Sequence, residues 1–327
     1  MSNRYIVVTL GDPYGIGVEA ISYLLRSGVP PGISVIVSGS KWQWQWQRKR
    51  LGYSEDILWS TTPLGSGPGI WFLDVGSEDT CLDPRSLSLE QRGRLSLAAL
   101  EKVAQFSNSS KLAVLTSPID KLSCQKAGFS LGGQTEFFGK LWGGQPIMVL
   151  AGPKLKVGLA TNHLPLTDVS GALSKVLLTD KIEKFTRFIQ QTCGSSHVSI
   201  GVCGLNPHAS DGGMFGSEEA EIIQPAIEEL RLKLGSTVRL EGPLPADTAF
   251  FRNFRGDFDG VVAMYHDQGL GPLKTVHFYD AVNISAGLKH LRVSPDHGPA
   301  ADLFLTGRAK FDSFMEAWSI AISHLER

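Results

Sequence analysis

Eight short runs of aliphatic and β-branched residues, most of them apolar at nearly every position, constrain this chain more than any other feature. They are Tyr5 to Leu10, Ile33 to Ser38, Ile70 to Val75, Lys111 to Thr116, Ile147 to Leu150, Lys156 to Thr161, Val198 to Cys203 and Gly260 to Met264. Near-continuous apolar character, rather than alternation, predicts strands covered on both faces. Helical spacing fills several of the gaps. Ser88 with Gln91 three residues on predicts a capping box ahead of Leu97, Leu100 and Ala104. Thr179 precedes an apolar face of Ile182, Phe185, Phe188 and Ile189, and Ser217 opens a third helix with Glu218 and Glu219 in its first turn, where carboxylates suit the positive end of the dipole. Alternation of this kind predicts an α/β fold with mainly parallel sheets.

A chain of 327 residues exceeds what one core usually supports, so two lobes with a cleft between them are expected. The Gly/Pro/Ser stretch from Pro63 to Pro68 reads as a loop, and Gly128 to Gly133 reads as a joint between lobes. A net charge of -1 with interspersed signs offers no basic stripe for nucleic acid and no polybasic arm for a membrane. The run from Tyr5 to Leu10 is too short for a signal-peptide core or a membrane span. Cys81, Cys124, Cys193 and Cys203 form neither a C-x-x-C pair nor a disulfide framework, which suits a reducing, cytoplasmic setting.

Two segments invite over-reading. Trp42-Gln43-Trp44-Gln45-Trp46-Gln47, followed by Arg48-Lys49-Arg50, alternates with a strand period but stands where a helix is due after a strand. It reads either as a half-exposed aromatic helix or as an interaction surface with a basic flank. Gly15-Ile16-Gly17-Val18-Glu19-Ala20 satisfies G-x-G-x-x-A, yet Gly11-Asp12-Pro13-Tyr14 delays the turn and no acidic residue follows near Ser38 to Lys41 to bind a ribose. The simpler reading is a tight turn with Asp12 accepting backbone hydrogen bonds.

The candidate chemistry lies in three histidines placed where parallel strands should end in loops: His163, His208 and His266. Each alone reads as a structural residue, but three imidazoles at strand ends suit a divalent metal with positions left open for substrate oxygens. Lys274 and Arg292, flanking Asn283, supply donors for a phosphate or carboxylate. Thr135 and Glu136 could present a helix start to an anion.

Taken in order, Gly11-Asp12-Pro13-x-Gly15-Ile16-Gly17, Thr135-Glu136-Phe137-Phe138, Thr161-Asn162-His163-Leu164-Pro165-Leu166, Cys203 to Ala209, Gly242 to Thr248, Met264 to Gly269 and Asp296-His297-Gly298 resemble the motifs of the 4-hydroxythreonine-4-phosphate dehydrogenase family, which serves pyridoxal phosphate biosynthesis. The resemblance implies a two-lobed fold related to isocitrate and isopropylmalate dehydrogenases, with lobes at 1-130 plus 298-327 and at 131-297. It implies a homodimer with sites near the interface, His163, His208 and His266 as ligands of zinc, magnesium, manganese or cobalt, and a phosphorylated small-molecule substrate. Thr135, Lys274, Asn283 and Arg292 match the substrate positions, Gln134 beside them is a further candidate substrate contact, and Asp296, His297 and Gly298 resemble the loop facing the adenosine of NAD or NADP. Asp247 is the candidate for proton transfer or cofactor orientation. The implied reaction is metal-assisted, NAD-dependent oxidation to a β-keto acid that loses carbon dioxide.

Three positions depart from the family pattern: Gln134 stands where His precedes Thr-Glu-Phe-Phe, Asp120 stands where His precedes Lys121, and Leu305 stands in a more Gly-rich stretch. Gln cannot carry charge at neutral pH, and loss of glycine at Leu305 narrows the dinucleotide's approach. Two alternatives follow: a paralogue oxidising a phosphothreonate or phosphoerythronate, and a catalytically silent binding protein of the same fold.

Overall fold

The computed structural model describes residues 4–53, 58–59, 68–76 and 83–326. Cys81 and nearly all of the expected loop between Pro63 and Pro68 lie outside the described residues. The chain divides into two compact units, one comprising Met1–Gly143 with Leu288–Glu326 and the other Gly144–Gly287.

In the first unit the strands are β1 (Arg4–Thr9), β2 (Ile33–Gly39), β3 (Leu58–Trp59), β4 (Gly69–Asp74), β5 (Lys111–Thr116) and, from the far end of the chain, β12 (Leu291–Pro295). Their order is β3-β4-β2-β1-β5-β12, parallel throughout. Every residue of β2 is buried, as a strand covered on both faces requires. The helices here are α1 (Gly17–Arg26), α2 (Lys41–Leu51), α3 (Leu89–Glu101), α4 (Lys121–Lys126), α5 (Gln134–Trp142) and α11 (Asp312–Glu326). The capping box of Ser88 and Gln91 is formed at the start of α3.

The second unit holds β6 (Ile147–Ala151), β7 (Lys156–Leu159), β8 (Val198–Cys203), β9 (Val238–Leu244), β10 (Gly260–Ala263) and β11 (Val282–Ala286), in the order β11-β6-β7-β10-β8-β9. The four from β7 to β9 are parallel, while β6 runs antiparallel to both neighbours. Its helices are α6 (Leu166–Ala172), α7 (Lys175–Cys193), α8 (Gln224–Leu234), α9 (Ala246–Phe254) and α10 (His266–Val276).

All eight expected strands are present, and the fold is α/β with mainly parallel pairing. The boundaries differ from the expected 130/131 and 297/298. Strand β12 pairs with β5, and Phe138 and Trp142 of α5 share a core with Val7, Val114 and Phe106, so both elements belong to the first unit. Two helix starts also shift. Ser174, not Thr179, caps α7, its Oγ accepting from the Leu177 amide at 3.2 Å. The helix expected at Ser217 begins as a π-helical turn, Glu219–Ile223, with Glu218 at its cap position.

The Trp-Gln alternation is helical. Ser40 caps α2, and Gly52 ends it at φ 73°. Trp44 is buried against Phe72, with ring centroids 5.7 Å apart, and Gln47 Nε2 donates to the Pro13 carbonyl at 2.8 Å. Helix period thus sorts Gln43, Trp44, Gln47 and Arg48 inward and leaves Trp42, Gln45, Trp46, Lys49 and Arg50 on the opposite stripe.

The glycines after β1 serve close packing. A Cβ on Gly17 would lie 2.1 Å from the Leu10 carbonyl oxygen, and one on Gly15 would lie 3.0 Å from that of Pro299. Asp12 accepts from the Tyr14 amide at 2.7 Å and from Arg92 Nε and Nη2 at 3.0 Å each. Burial nevertheless pushes the Asp12 carboxyl up from its ordinary range, with Arg92 opposing. Gly17→Ala is therefore expected to lose more than about 2 kcal/mol of stability, because backbone rather than a flexible side chain must yield. A urea-unfolding midpoint equal to the parent's would show that the close approach is not obligatory.

Candidate functional site

Strand order decides what gathers in the second unit. Strands β7, β10, β8 and β9 are parallel neighbours, so their carboxyl ends line up along one edge, where α/β proteins place functional loops. His163 follows β7, His266 opens α10 directly after β10, His208 lies five residues beyond β8, and Asp247 sits in the first turn of α9 after β9. The rings of His163 and His266 are 5.4 Å apart between centroids. Two imidazoles bound to one tetrahedral ion at about 2.1 Å place their centroids about 5 Å apart, so this pair fits as two ligands of one metal. His266 Nδ1 lies 2.7 Å from Asp267 Oδ1, the partnering that fixes an imidazole for ligation through its other nitrogen.

His208 is presented differently. His208, Ala209, Ser210, Asp211 and Gly212 all have left-handed backbone, with φ of 54°, 52°, 73°, 43° and 70°. For residues bearing a Cβ this conformation costs about 1–2 kcal/mol each, and such strain concentrates at functional sites. His208 is exposed, and among the described residues no three His, Cys, Asp or Glu side chains are gathered as a metal set. The structure therefore brings together two of the three expected histidines and holds the third on the adjacent strand's loop. Asp247 is exposed, its Oδ1 accepting from the Thr248 amide at 2.9 Å.

What holds the His208 loop is a residue that the sequence reading assigned only to the helix dipole. Glu219 is 4% exposed; its Oε1 accepts from the Leu205 and Asn206 amides at 2.8 Å each, and its Oε2 from Asn206 Nδ2 at 2.9 Å. Gln268 ties the ends of β10 and β8 together, accepting from the Met264 amide at 2.7 Å and donating to the Gly204 carbonyl at 2.8 Å. Neither role has a sequence signature, because both depend on which strands are neighbours. Lys274 lies on α10 with its Nζ 5.6 Å from the Phe278 ring centroid, and Asn283 lies on β11 opposite Leu150.

In the first unit the corresponding edge carries a buried cation. Arg292 projects from β12, is 4% exposed, and donates through Nε and Nη2 to Thr116 Oγ1 at 3.1 and 2.8 Å and through Nη2 to Gln134 Oε1 at 3.3 Å. Among the described residues no carboxylate pairs with it. Burial lowers its pKa to about 10, with the Glu136 carboxylate acting against that shift. Gln134, at the start of α5, also donates from Nε2 to the Ser117 carbonyl at 3.2 Å. Its amide is thus engaged on both sides, orienting the guanidinium. Thr135 beside it is 8% exposed. Asp120 caps α4, its Oδ1 accepting from the Ser123 amide at 2.7 Å.

The loop after β12 runs back over the glycines after β1, the Ile16 amide donating to the Pro299 carbonyl at 3.1 Å. That contact packs the loop directly onto the glycine turn. His297 and Gly298 on the same loop are exposed, with open space around the Gly298 Cα, whereas Asp296 is held through its amide by Ser313 Oγ at 3.0 Å. Leu305 keeps left-handed backbone at φ 57°, a conformation glycine adopts freely, and Phe304 packs against Tyr14 and Trp46 at centroid distances of 5.0 and 6.4 Å.

Fold and strand-end loops define an α/β protein that concentrates imidazoles at one sheet edge and a buried guanidinium at another. The chain belongs to the family described as "Pyridoxal phosphate biosynthetic protein PdxA", whose model matches residues 73–321. A 4-hydroxythreonine-4-phosphate dehydrogenase of Vibrio vulnificus is 36% identical over 331 residues, 99% of each chain. A D-threonate 4-phosphate dehydrogenase of Pectobacterium atrosepticum is 34% identical, covering 98% of this chain and 99% of its own. The crystal structure of a 4-hydroxythreonine-4-phosphate dehydrogenase from Klebsiella pneumoniae superposes with a TM-score of 0.83 at 33% identity, over 100% of this chain and 99% of the other. No helix of the described residues is long and apolar enough to cross a membrane.

Proposed function

We propose that this chain is an NAD-dependent dehydrogenase acting on 4-phosphohydroxy-L-threonine in the cytoplasm, as a homodimer, within pyridoxal 5'-phosphate biosynthesis. The observation that carries the reading is Arg292: a buried guanidinium whose side-chain partners among the described residues are a hydroxyl and an amide is completed by an anion, and a substrate phosphate supplies one. Thr135 adds a donor, and Lys274 and Asn283 are proposed as further substrate residues. His163, His266 and His208 would hold a divalent metal, which when bound would supply Lewis acidity towards the substrate's oxygens. Imidazole ligands lean towards zinc or cobalt over magnesium or manganese. Asp247 stands at the same strand edge as the histidines, within reach of solvent, as a group that passes on the alcohol proton must be. Exposed His297 and Gly298, with Asp296 behind them, offer NAD or NADP a loop for the adenosine.

A second reading, oxidation of D-threonate 4-phosphate, is favoured by one observation. Gln134 is committed to Ser117 and Arg292, so it offers the substrate no cationic contact where the family pattern has His. Purified protein with NAD and a divalent metal, offered each phosphate ester in turn, separates the two by its rate of NADH formation. The expected result is turnover of 4-phosphohydroxythreonine at a kcat/KM at least about tenfold above that for D-threonate 4-phosphate. The reverse ratio assigns the second reading, and inertness towards both removes the dehydrogenase.

A further inference from the structure

The outward stripe of α2 walls a cavity of about 600 Å³ lined by Lys41, Trp42, Gln45, Trp46, Lys49, Arg50 and Asp74. This volume lies in the range of small-molecule sites. Five of these residues are spaced i, i+3, i+4, i+7 and i+8 along one helix, so the sequence that looked like a strand alternation in fact builds a single aromatic and cationic face. Lys49 and Arg50 are exposed cations of this face. The Asp74 carboxylate is already held by the Lys41 and Gly76 amides at 2.9 and 3.1 Å. Trp46 is a fixed wall, with the Arg50 guanidinium 3.4 Å from its ring centroid and Phe304 stacked at 6.4 Å. The neighbouring wall residue, Trp42, is half-buried. The site is separate from Arg292, since β1 and β5 stand between β2, which leads into α2, and β12.

We propose that this face binds a phosphate monoester carrying a flat heteroaromatic ring. A monoester carries a charge of about −1.5 to −2 at neutral pH, which suits the Lys49 and Arg50 cations. A flat ring offers the Trp42 and Trp46 side of the cavity an aromatic contact, and the Lys49 and Arg50 cations hold the phosphate. A nucleoside monophosphate and a pyridine phosphate share this chemistry.

Calorimetric titration of the full chain at low salt with adenosine 5'-monophosphate and with pyridoxamine 5'-phosphate tests the site and distinguishes the two sources. Saturable binding of either is expected, with adenosine and inorganic phosphate each weaker by about tenfold or more. Lys49→Gln combined with Arg50→Gln, both exposed, should weaken the monoester by about tenfold or more and leave dehydrogenase turnover unchanged. Trp42→Ala should weaken it too, and Arg292→Met should not. Absence of saturable binding, inorganic phosphate binding as tightly as the esters, or full affinity in the Lys49/Arg50 variant overturns the proposal.

Discussion

Replacing Arg292 with methionine is expected to lower kcat/KM for the phosphorylated substrate by about 100-fold or more and to leave the fold as stable as before, or more stable. The two halves follow from one fact. The guanidinium is buried beside Thr116 and Gln134, and among the described residues no carboxylate pairs with it. Burial lowers its pKa to about 10, which corresponds to a charge penalty on the order of 3 kcal/mol in the free protein. The folded chain gives up this proton more readily than the unfolded chain, so the penalty is fully present at neutral pH and fades only as pH rises through about 10. A bound phosphate dianion offsets it, and removing the cation forfeits that gain, about 2–5 kcal/mol for a buried charge pair. Methionine fills similar space without charge. Thermal unfolding alongside steady-state kinetics reads both halves. A large loss of stability would mean that the guanidinium is a structural tie, and kcat/KM within threefold of the parent would remove it from the substrate site.

Much of the fold was legible because parallel strands buried on both faces leave an apolar signature that neighbouring segments cannot imitate. The strands that escaped notice lack it. Strand β9 carries Arg239, Glu241 and Pro243, and β12 carries Arg292 between Leu291 and Val293, where a single buried cation disguises a strand whose five residues are all buried. That disguise also displaced the expected boundary, since β12 pairs with β5. The Trp-Gln run shows the converse failure: a period of two over six residues is overridden once Ser40 and Gly52 cap the segment as a helix.

At the candidate site, legibility stopped at the residues that carry their own chemistry. Histidines at strand ends can be picked out by type and position, and the order β7-β10-β8 then places their loops side by side. Glu219 could not be assigned that way, because its role rests on meeting the Leu205 and Asn206 amides, fourteen and thirteen residues back in the chain. The position of Gln134 in a motif makes it a candidate substrate contact, but does not reveal that its amide bridges Ser117 and Arg292, a role fixed by the register of β5 beside β12.

His208→Gly is expected to abolish turnover and strip the bound metal while raising the stability of the metal-free chain. At φ 54° the backbone of His208 is strained by about 1–2 kcal/mol, and glycine relieves that strain. Because His208 is exposed, little packing is lost with its ring. A histidine held at a cost to stability is the arrangement expected when the imidazole serves a ligand rather than the fold. On the same proposal His163→Ala and His266→Ala should lose metal as well, their rings standing 5.4 Å apart. Glu219→Gln should fall between parent and His208→Gly, because one of its two oxygens is exchanged for a donor facing the amides it now accepts from. Metal content after dialysis and the urea midpoint of the chelated protein decide the matter together. If His208→Gly keeps its metal and turnover, the three-histidine centre is wrong; if it loses stability instead of gaining it, the left-handed turn is held by the ring itself and the loop is structural.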